Sequence, residues 1–296
     1  MTLQDTAEVT GATAEHESAC GLCGKADPKI TRTGELTPEF GSVAQWKVVR
    51  VLRASGNPRP HSFMVRLGAL TIRIHHTQLG VDSQTIKLHD LLDLMTVGID
   101  TFDPAKPRPM LSQKGAIFAS QKGKTIEGVV TSVTKYGVFV SSTNLPFCIK
   151  GLIHKSKLAG FNKAEALRNI VVGAPISFWI DDFQQHPDSA RRIAGDWQVD
   201  CSQERAAYVE AFHLIESAGA DSNVAFATAT VVGRRHRLES FLVEIRLPSG
   251  IPFVARLKAP STDVLHKGDR LQVRVDSVDW QGDQPGAEAT LVARQS

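Results

Sequence analysis

Cysteine is scarce, with four residues in a chain of 296. That is too few for a disulfide-built scaffold and points to the reducing cytoplasm. Long hydrophobic runs are missing too. No apolar stretch approaches the roughly 18 residues of a membrane helix, so no membrane partner is expected. Met1 to Ala14 is polar and acidic, without the basic start and apolar centre of a secretory signal. Catalytic signatures are also lacking: the chain has no Gly-Lys-Ser phosphate loop, no G-x-S-x-G elbow and no H-E-x-x-H pair. Acidic neighbours such as Asp181-Asp182 occur, but nothing frames them as a metal or acid–base site. Neither an enzyme nor a cofactor is expected.

What is present is an ordinary composition, 42% hydrophobic and 22% charged, which suffices to bury real cores. Net charge is only +3, but it is uneven: −4 over residues 1–40, +6 over 45–122, +3 over 123–196, −4 over 197–222 and +2 over 223–296. Basic blocks attract polyanions, of which nucleic acid is the commonest. A solvated basic surface that merely keeps the chain soluble would look the same.

The chain also repeats itself. In residues 122–196, short β-branched runs (Thr125–Val133, Tyr136–Ser141, Phe147–Ile153, Ile176–Asp181, Arg192–Ala194) alternate with Gly-rich joints. About five such strands in this length predict a small barrel or sandwich. Gly128 and Gly137 suit bends or bulges, and Ala164–Ile170 suits a short helix. Residues 45–115 overlay this block. SFMVRL stands for YGVFV, His75 falls on His154 and Thr77 on Ser156. Leu88–Leu94 replaces the helix, and VGIDTF (97–102) matches VGAPISF (172–178). Residues 223–294 follow more loosely, with Lys258 in the His place. Between them, Gln203–Gly219 reads as an amphipathic linker helix with Ala207, Val209, Phe212, Leu214 and Ile215 on its stripe, most simply a packing strut.

Taken together, Gly128-Val129-Val130, Tyr136-Gly137-Val138-Phe139-Val140, Gly151-Leu152-Ile153-His154-Lys155-Ser156, Val172-Gly173, Ile180-Asp181 and Arg192-Ile193 resemble the S1 RNA-binding domain, an OB-fold family known from tandem repeats in ribosomal S1-like proteins. Two departures stand out: Gly195-Asp196 replaces the usual final Leu-Ser, and the turn between Asp181 and Arg192 is long. Block one keeps His75, Asp103 and Arg108-Pro109-Met110-Leu111-Ser112 but lacks the aromatic-Gly pair. The resemblance implies an all-β fold with short helices, built of tandem five-stranded OB barrels. The segments are a disordered acidic tail (1–40), a degenerate barrel (45–115), an RNA-binding barrel (122–196), the linker helix (203–219) and a diverged barrel (223–294). It implies single-stranded RNA as ligand and a role in translation or RNA metabolism, beside a ribosome or other ribonucleoprotein. The alternative is an adaptor that docks degenerate barrels on a ribosome, RNA polymerase or nuclease complex.

The residues argue the same way. Exposed aromatics on a barrel face stack unpaired bases without demanding a sequence. Tyr136 and Phe139 are three apart, so strict alternation points them to opposite faces unless Gly137 bends the strand. Otherwise Phe139 is core and Tyr136 is surface. His154 can stack, or bond a phosphate or base edge, or simply hold its own turn; its recurrence as His75 favours a role. Lys135, Lys150, Lys155, Lys157 and Lys163 can track phosphates or form a solvated rim. Arg192 offers a planar guanidinium for stacking or bidentate phosphate contact, or pairs with Asp181, which would orient it. On block one, Phe63, His75 and Arg108 are the corresponding candidates. In the tail, His16, Cys20 and Cys23 form an incomplete zinc-like set and are weak metal candidates; an unstructured tail is the favoured reading and no metal is expected.

Overall fold

A computed structural model describes residues 39–53, 55–56, 58–100, 108–143, 149–187, 195–218, 226–235, 240–258, 264–282 and 284–294. The tail with His16, Cys20 and Cys23 lies outside these residues, as do Asp103, Cys148 and Arg192. The described chain forms three five-stranded barrel sheets in tandem. Barrel 1 comprises β1 (Val43–Arg53), β2 (Pro60–Leu67), β3 (Leu70–His75), β4 (Leu91–Asp100) and β5 (Arg108–Ser112). Helix α1 (Gln113–Gln121) leads to barrel 2: β6 (Thr125–Thr134), β7 (Gly137–Ser142), β8 (Lys150–His154), the short helix α2 (Lys163–Asn169), β9 (Pro175–Gln185) and β10 (Trp197–Ser202). Helix α3 (Gln203–Ala218) leads to barrel 3: β11 (Phe226–Arg235), β12 (Ser240–Arg246), β13 (Pro252–Lys258), β14 (Arg270–Asp279) and β15 (Gly286–Arg294).

Barrels 2 and 3 close in the order 1-2-3-5-4, with the third and fifth strands parallel and every other pair antiparallel. This is the OB-fold arrangement. Barrel 1 has the same order without a β3–β5 ladder among the described residues. Side chains seal that seam instead: Ser112 Oγ donates to the Gln78 carbonyl at 3.4 Å, and Gly80 N–H donates to Gln113 Oε1 at 3.0 Å. Each barrel's first strand serves two partners, its N-terminal half pairing the fourth strand and its C-terminal half the second. A bulge eases the bend at the same place in all three, after Val48, Val130 and Val231.

Period-two alternation fills the interiors. Trp46, Val48, Phe63, Val65, Ile72, Ile74, Leu92 and Leu94 fill barrel 1. Val130, Val138, Val140, Ile153, Phe178 and Ile180 fill barrel 2. Val243, Ile245, Phe253, Ala255, Leu257, Leu271 and Val273 fill barrel 3. Register places Gly128 of barrel 2 where barrel 1 has Trp46. A Cβ on Gly128 would overlap the Ser141 carbonyl and press on the Phe178 ring, so the glycine leaves room for the phenylalanine that replaces the tryptophan's bulk.

Each connecting helix belongs to the barrel that follows it. Phe118 of α1 sits in the barrel 2 core. Ala207, Tyr208 and Ala211 of α3 sit in the barrel 3 core, and the Tyr208 hydroxyl donates to the Val254 carbonyl at 2.6 Å. The Trp179 and Trp280 rings meet edge to face, 5.4 Å between centroids, beside Ala206 and Val209. The stripe on α3 is therefore wider than expected, with Ala206, Tyr208 and Ala211 buried and Leu214 exposed.

Three local expectations are corrected. Leu88–Leu94 is not a helix but a turn running into β4, and register matches Leu92 to Ile176 rather than Val97 to Val172. The last strand of barrel 2 is Trp197–Ser202, beyond the expected end at 196, and it holds Cys201. Gly137 is no bulge. It lies inside the regular β7–β8 ladder, where a Cβ would overlap the Ile153 carbonyl.

Candidate nucleic-acid interface

The site is built on the outer face of β7 and β8. Val138 and Val140 point into barrel 2, so Phe139 points out and is only partly buried. Leu152 lies directly across from it, and His154 lies across from Gly137. Tyr136 is 44% exposed and occupies the turn before β7. That turn, rather than a bulge in β7, carries its ring to Phe139. The two rings stand edge to face with centroids 6.4 Å apart. The turn is fixed by its backbone: Lys155 N–H donates to the Tyr136 carbonyl at 2.9 Å, and Thr134 Oγ1 donates to the Gly137 carbonyl at 2.9 Å. Gly137 lets the two strands approach closely beneath the rings. Leu152, which the sequence pattern presented only as part of a motif, completes an aromatic–aliphatic platform.

His154 has both a structural and an exposed side. Its Nδ1 accepts from Ser156 N–H at 3.4 Å and lies 2.8 Å from Ser156 Oγ, capping the single turn Lys155–Lys157. The ring is thereby oriented while the side chain stays exposed. His75 repeats this geometry with Thr77, at 3.4 Å to the amide and 2.9 Å to the hydroxyl. Burial, followed by the neighbouring His76, His61 and Arg73, lowers the His75 pKa.

The lysines divide into two groups. Lys135, Lys150 and Lys155 are exposed, and no described hydrogen bond or ion pair engages their ammonium groups. Lys135 and Lys155 flank the Tyr136 end. Lys150 lies four residues from His154 on the same strand face, about 13 Å away at strand rise. Lys157 instead pairs with Asp181 at 2.8 Å, and Lys163 with Glu204 at 2.7 Å. Asp181 also lies 3.7 Å from Arg205 Nε, whose Nη2 donates to the Gly282 carbonyl at 3.0 Å. Asp181 thus sits at the joint between barrel 2, α3 and barrel 3, apart from the aromatic platform.

The same positions differ in the other barrels. In barrel 1, register puts His61, Met64 and His75 where barrel 2 has Tyr136, Phe139 and His154. Phe63 is fully buried and not part of any face. Arg108 is exposed at the start of β5, opposite Asp100. In barrel 3, Leu242 and Lys258 take the places of Phe139 and His154. Lys258 pairs with Glu288, and the barrel 2 loop around Phe161 leans on this surface, with Phe161 N–H donating to Glu244 Oε2 at 2.9 Å. Cys201 is buried and its thiol pKa is raised, chiefly by burial, which makes it an inert packing residue.

No family model matches the sequence, and no curated protein matches it. Among solved structures, the chain is similar to a multidomain protein with nucleic acid binding domains from Streptococcus pneumoniae TIGR4, at 16% identity and TM-score 0.30, over 87% of this chain and 75% of that one. It is similar to drosophila Unr CSD456 at 12% identity and TM-score 0.17, over 85% and 98%. It is similar to Mycoplasma genitalium RNase R at 10% identity and TM-score 0.23, over 57% of this chain and 21% of that one. Likenesses this distant carry no functional weight, and the OB assignment rests on the strand order and register of the barrels themselves.

Proposed function

We propose that this chain is a non-catalytic binding protein for single-stranded RNA, with barrel 2 as the principal contact. One observation carries this reading: the Tyr136 and Phe139 rings meet on the outer face of β7, beside an oriented, exposed His154 and three exposed lysines. Exposed rings stack on bases, each worth about 1–3 kcal/mol, with little regard to sequence. The lysines neutralise phosphates, and His154 Nε2 reaches a phosphate or base edge. Barrel 1 contributes positive charge and barrel 3 a partly covered face.

The test is a fluorescence titration of a mixed-sequence RNA oligonucleotide at several salt concentrations. Three phosphate contacts from Lys135, Lys150 and Lys155 predict a slope of log affinity on log salt of about −2. Absence of binding at low salt would remove the reading. Tight binding to duplex RNA but not to single strands would replace stacking with shape recognition.

A further inference from the structure

We propose that barrel 1 carries a zinc site formed by His61, His75 and His76. Two strands and a turn assemble it. His61 lies on β2 beside Ser62, which pairs with His75 at the end of β3. His76 follows directly, and in a continuing strand it would face the other way. Instead the single turn His76–Gln78 begins there and swings its ring back, so the His75 and His76 ring centroids lie 4.2 Å apart. One ring nitrogen from each of the three histidines lies within 4.8 Å of the others.

The spacing fits a metal. His61 Nε2 and His75 Nε2 are 3.1 Å apart. Two imidazoles on tetrahedral zinc, with bonds of about 2.0–2.1 Å, place their nitrogens about 3.3 Å apart. The outer contacts fit as well. His76 Nδ1–H donates to the His61 carbonyl at 2.9 Å, which leaves Nε2 as its ligand nitrogen. His75 Nδ1 lies 2.9 Å from the Thr77 hydroxyl; with Nε2 on the metal it carries the ring proton and donates to that hydroxyl, giving up the longer 3.4 Å contact from the Thr77 N–H. Zinc-bound histidines characteristically give their other nitrogen to a carbonyl or hydroxyl in this way. Arg73 carries a charge that opposes a cation here, and its Nε is tied to Ser62 Oγ at 2.9 Å. Three histidines leave a fourth position for water or an anionic oxygen. This surface corresponds by register to the aromatic platform of barrel 2, with His61 in the place of Tyr136 and His75 in the place of His154. The site stands independently of RNA binding.

The experiment is equilibrium dialysis of the full chain against zinc, with Cys20→Ser and Cys23→Ser introduced so that tail thiols contribute nothing. One zinc per chain is expected, and cobalt in its place should show tetrahedral visible bands without thiolate charge transfer. His61→Gln and His76→Gln should each weaken zinc binding at least tenfold, while the metal-free variants melt with the parent because both side chains are exposed. A Cys20→Ser, Cys23→Ser parent that retains no zinc would overturn the proposal. So would a His61→Gln, His76→Gln double variant that retains one equivalent.

Discussion

Tyr136 and Gly137 are adjacent in the chain and have opposite duties. Tyr136 is exposed in a turn with its ring edge to face on Phe139, whereas Gly137 lies where a Cβ would overlap the Ile153 carbonyl. Gly137→Ala is therefore expected to destabilise barrel 2 by about 1–3 kcal/mol, the usual cost of overpacking, read as a lower midpoint in urea denaturation. An unchanged midpoint would mean that the strands separate easily and that the close approach is not required. The pairing of Tyr136 with Phe139 was legible in the sequence, but its cause was not. Alternation alone put the two rings on opposite faces, and only the position of Tyr136 in a turn, outside β7, resolves this. The His-x-Thr and His-x-Ser turns were legible as a recurrence, and their capping role follows from the two-residue spacing. Asp181 could not be read, because its partners Lys157 and Arg205 come from distant segments.

At the scale of elements, one device recurs. Leu111-Ser112-Gln113 and Cys201-Ser202-Gln203 end the fifth strands of barrels 1 and 2. In each, the serine Oγ accepts from the amide three residues on, Gly115 at 3.2 Å and Arg205 at 3.0 Å, starting the next helix. In each, the glutamine Oε1 accepts from the loop after the third strand, Gly80 at 3.0 Å and Ala159 at 3.1 Å. Ser202→Ala should cost about 1 kcal/mol through the lost cap. Gln203→Ala should cost about 1–3 kcal/mol, because the Ala159 N–H loses its acceptor. Calorimetric melting of both variants checks the order; equal stability of Gln203→Ala and parent would show that water replaces the glutamine. The Ser-Gln dipeptide is visible in the sequence, but the long segment between β9 and β10 puts the second copy beyond the expected end of its barrel, so the sequence offers Arg192–Ala194 as the closing strand. Leu88–Leu94 misleads for a related reason: its leucines suit a helix, yet Leu92 and Leu94 alternate into the barrel 1 core.

Across the whole molecule, helices lock each barrel to the next, and the barrels are unequal. Strand order and core alternation were legible because three copies repeat them. Which outer faces stay open was not, since that depends on contacts between barrels such as Phe161 with Glu244. Lys258 pairs with Glu288 on a partly covered surface, so Lys258→Ala should leave RNA affinity unchanged in the same fluorescence titration; a several-fold loss would move barrel 3 into the interface. The central claim is that the Tyr136, Phe139 and His154 face of barrel 2 holds unpaired bases. The most direct measurement is the RNA affinity of a Tyr136→Ala, His154→Ala double variant beside the parent, with thermal melting of both. The account predicts a fold that melts with the parent to within the small cost of the lost turn cap. It also predicts a binding loss of about 1–3 kcal/mol from the missing tyrosine stack alone, roughly five-fold to more than a hundred-fold in affinity. A folded double variant that binds RNA as tightly as the parent would contradict it and place the RNA elsewhere on the molecule.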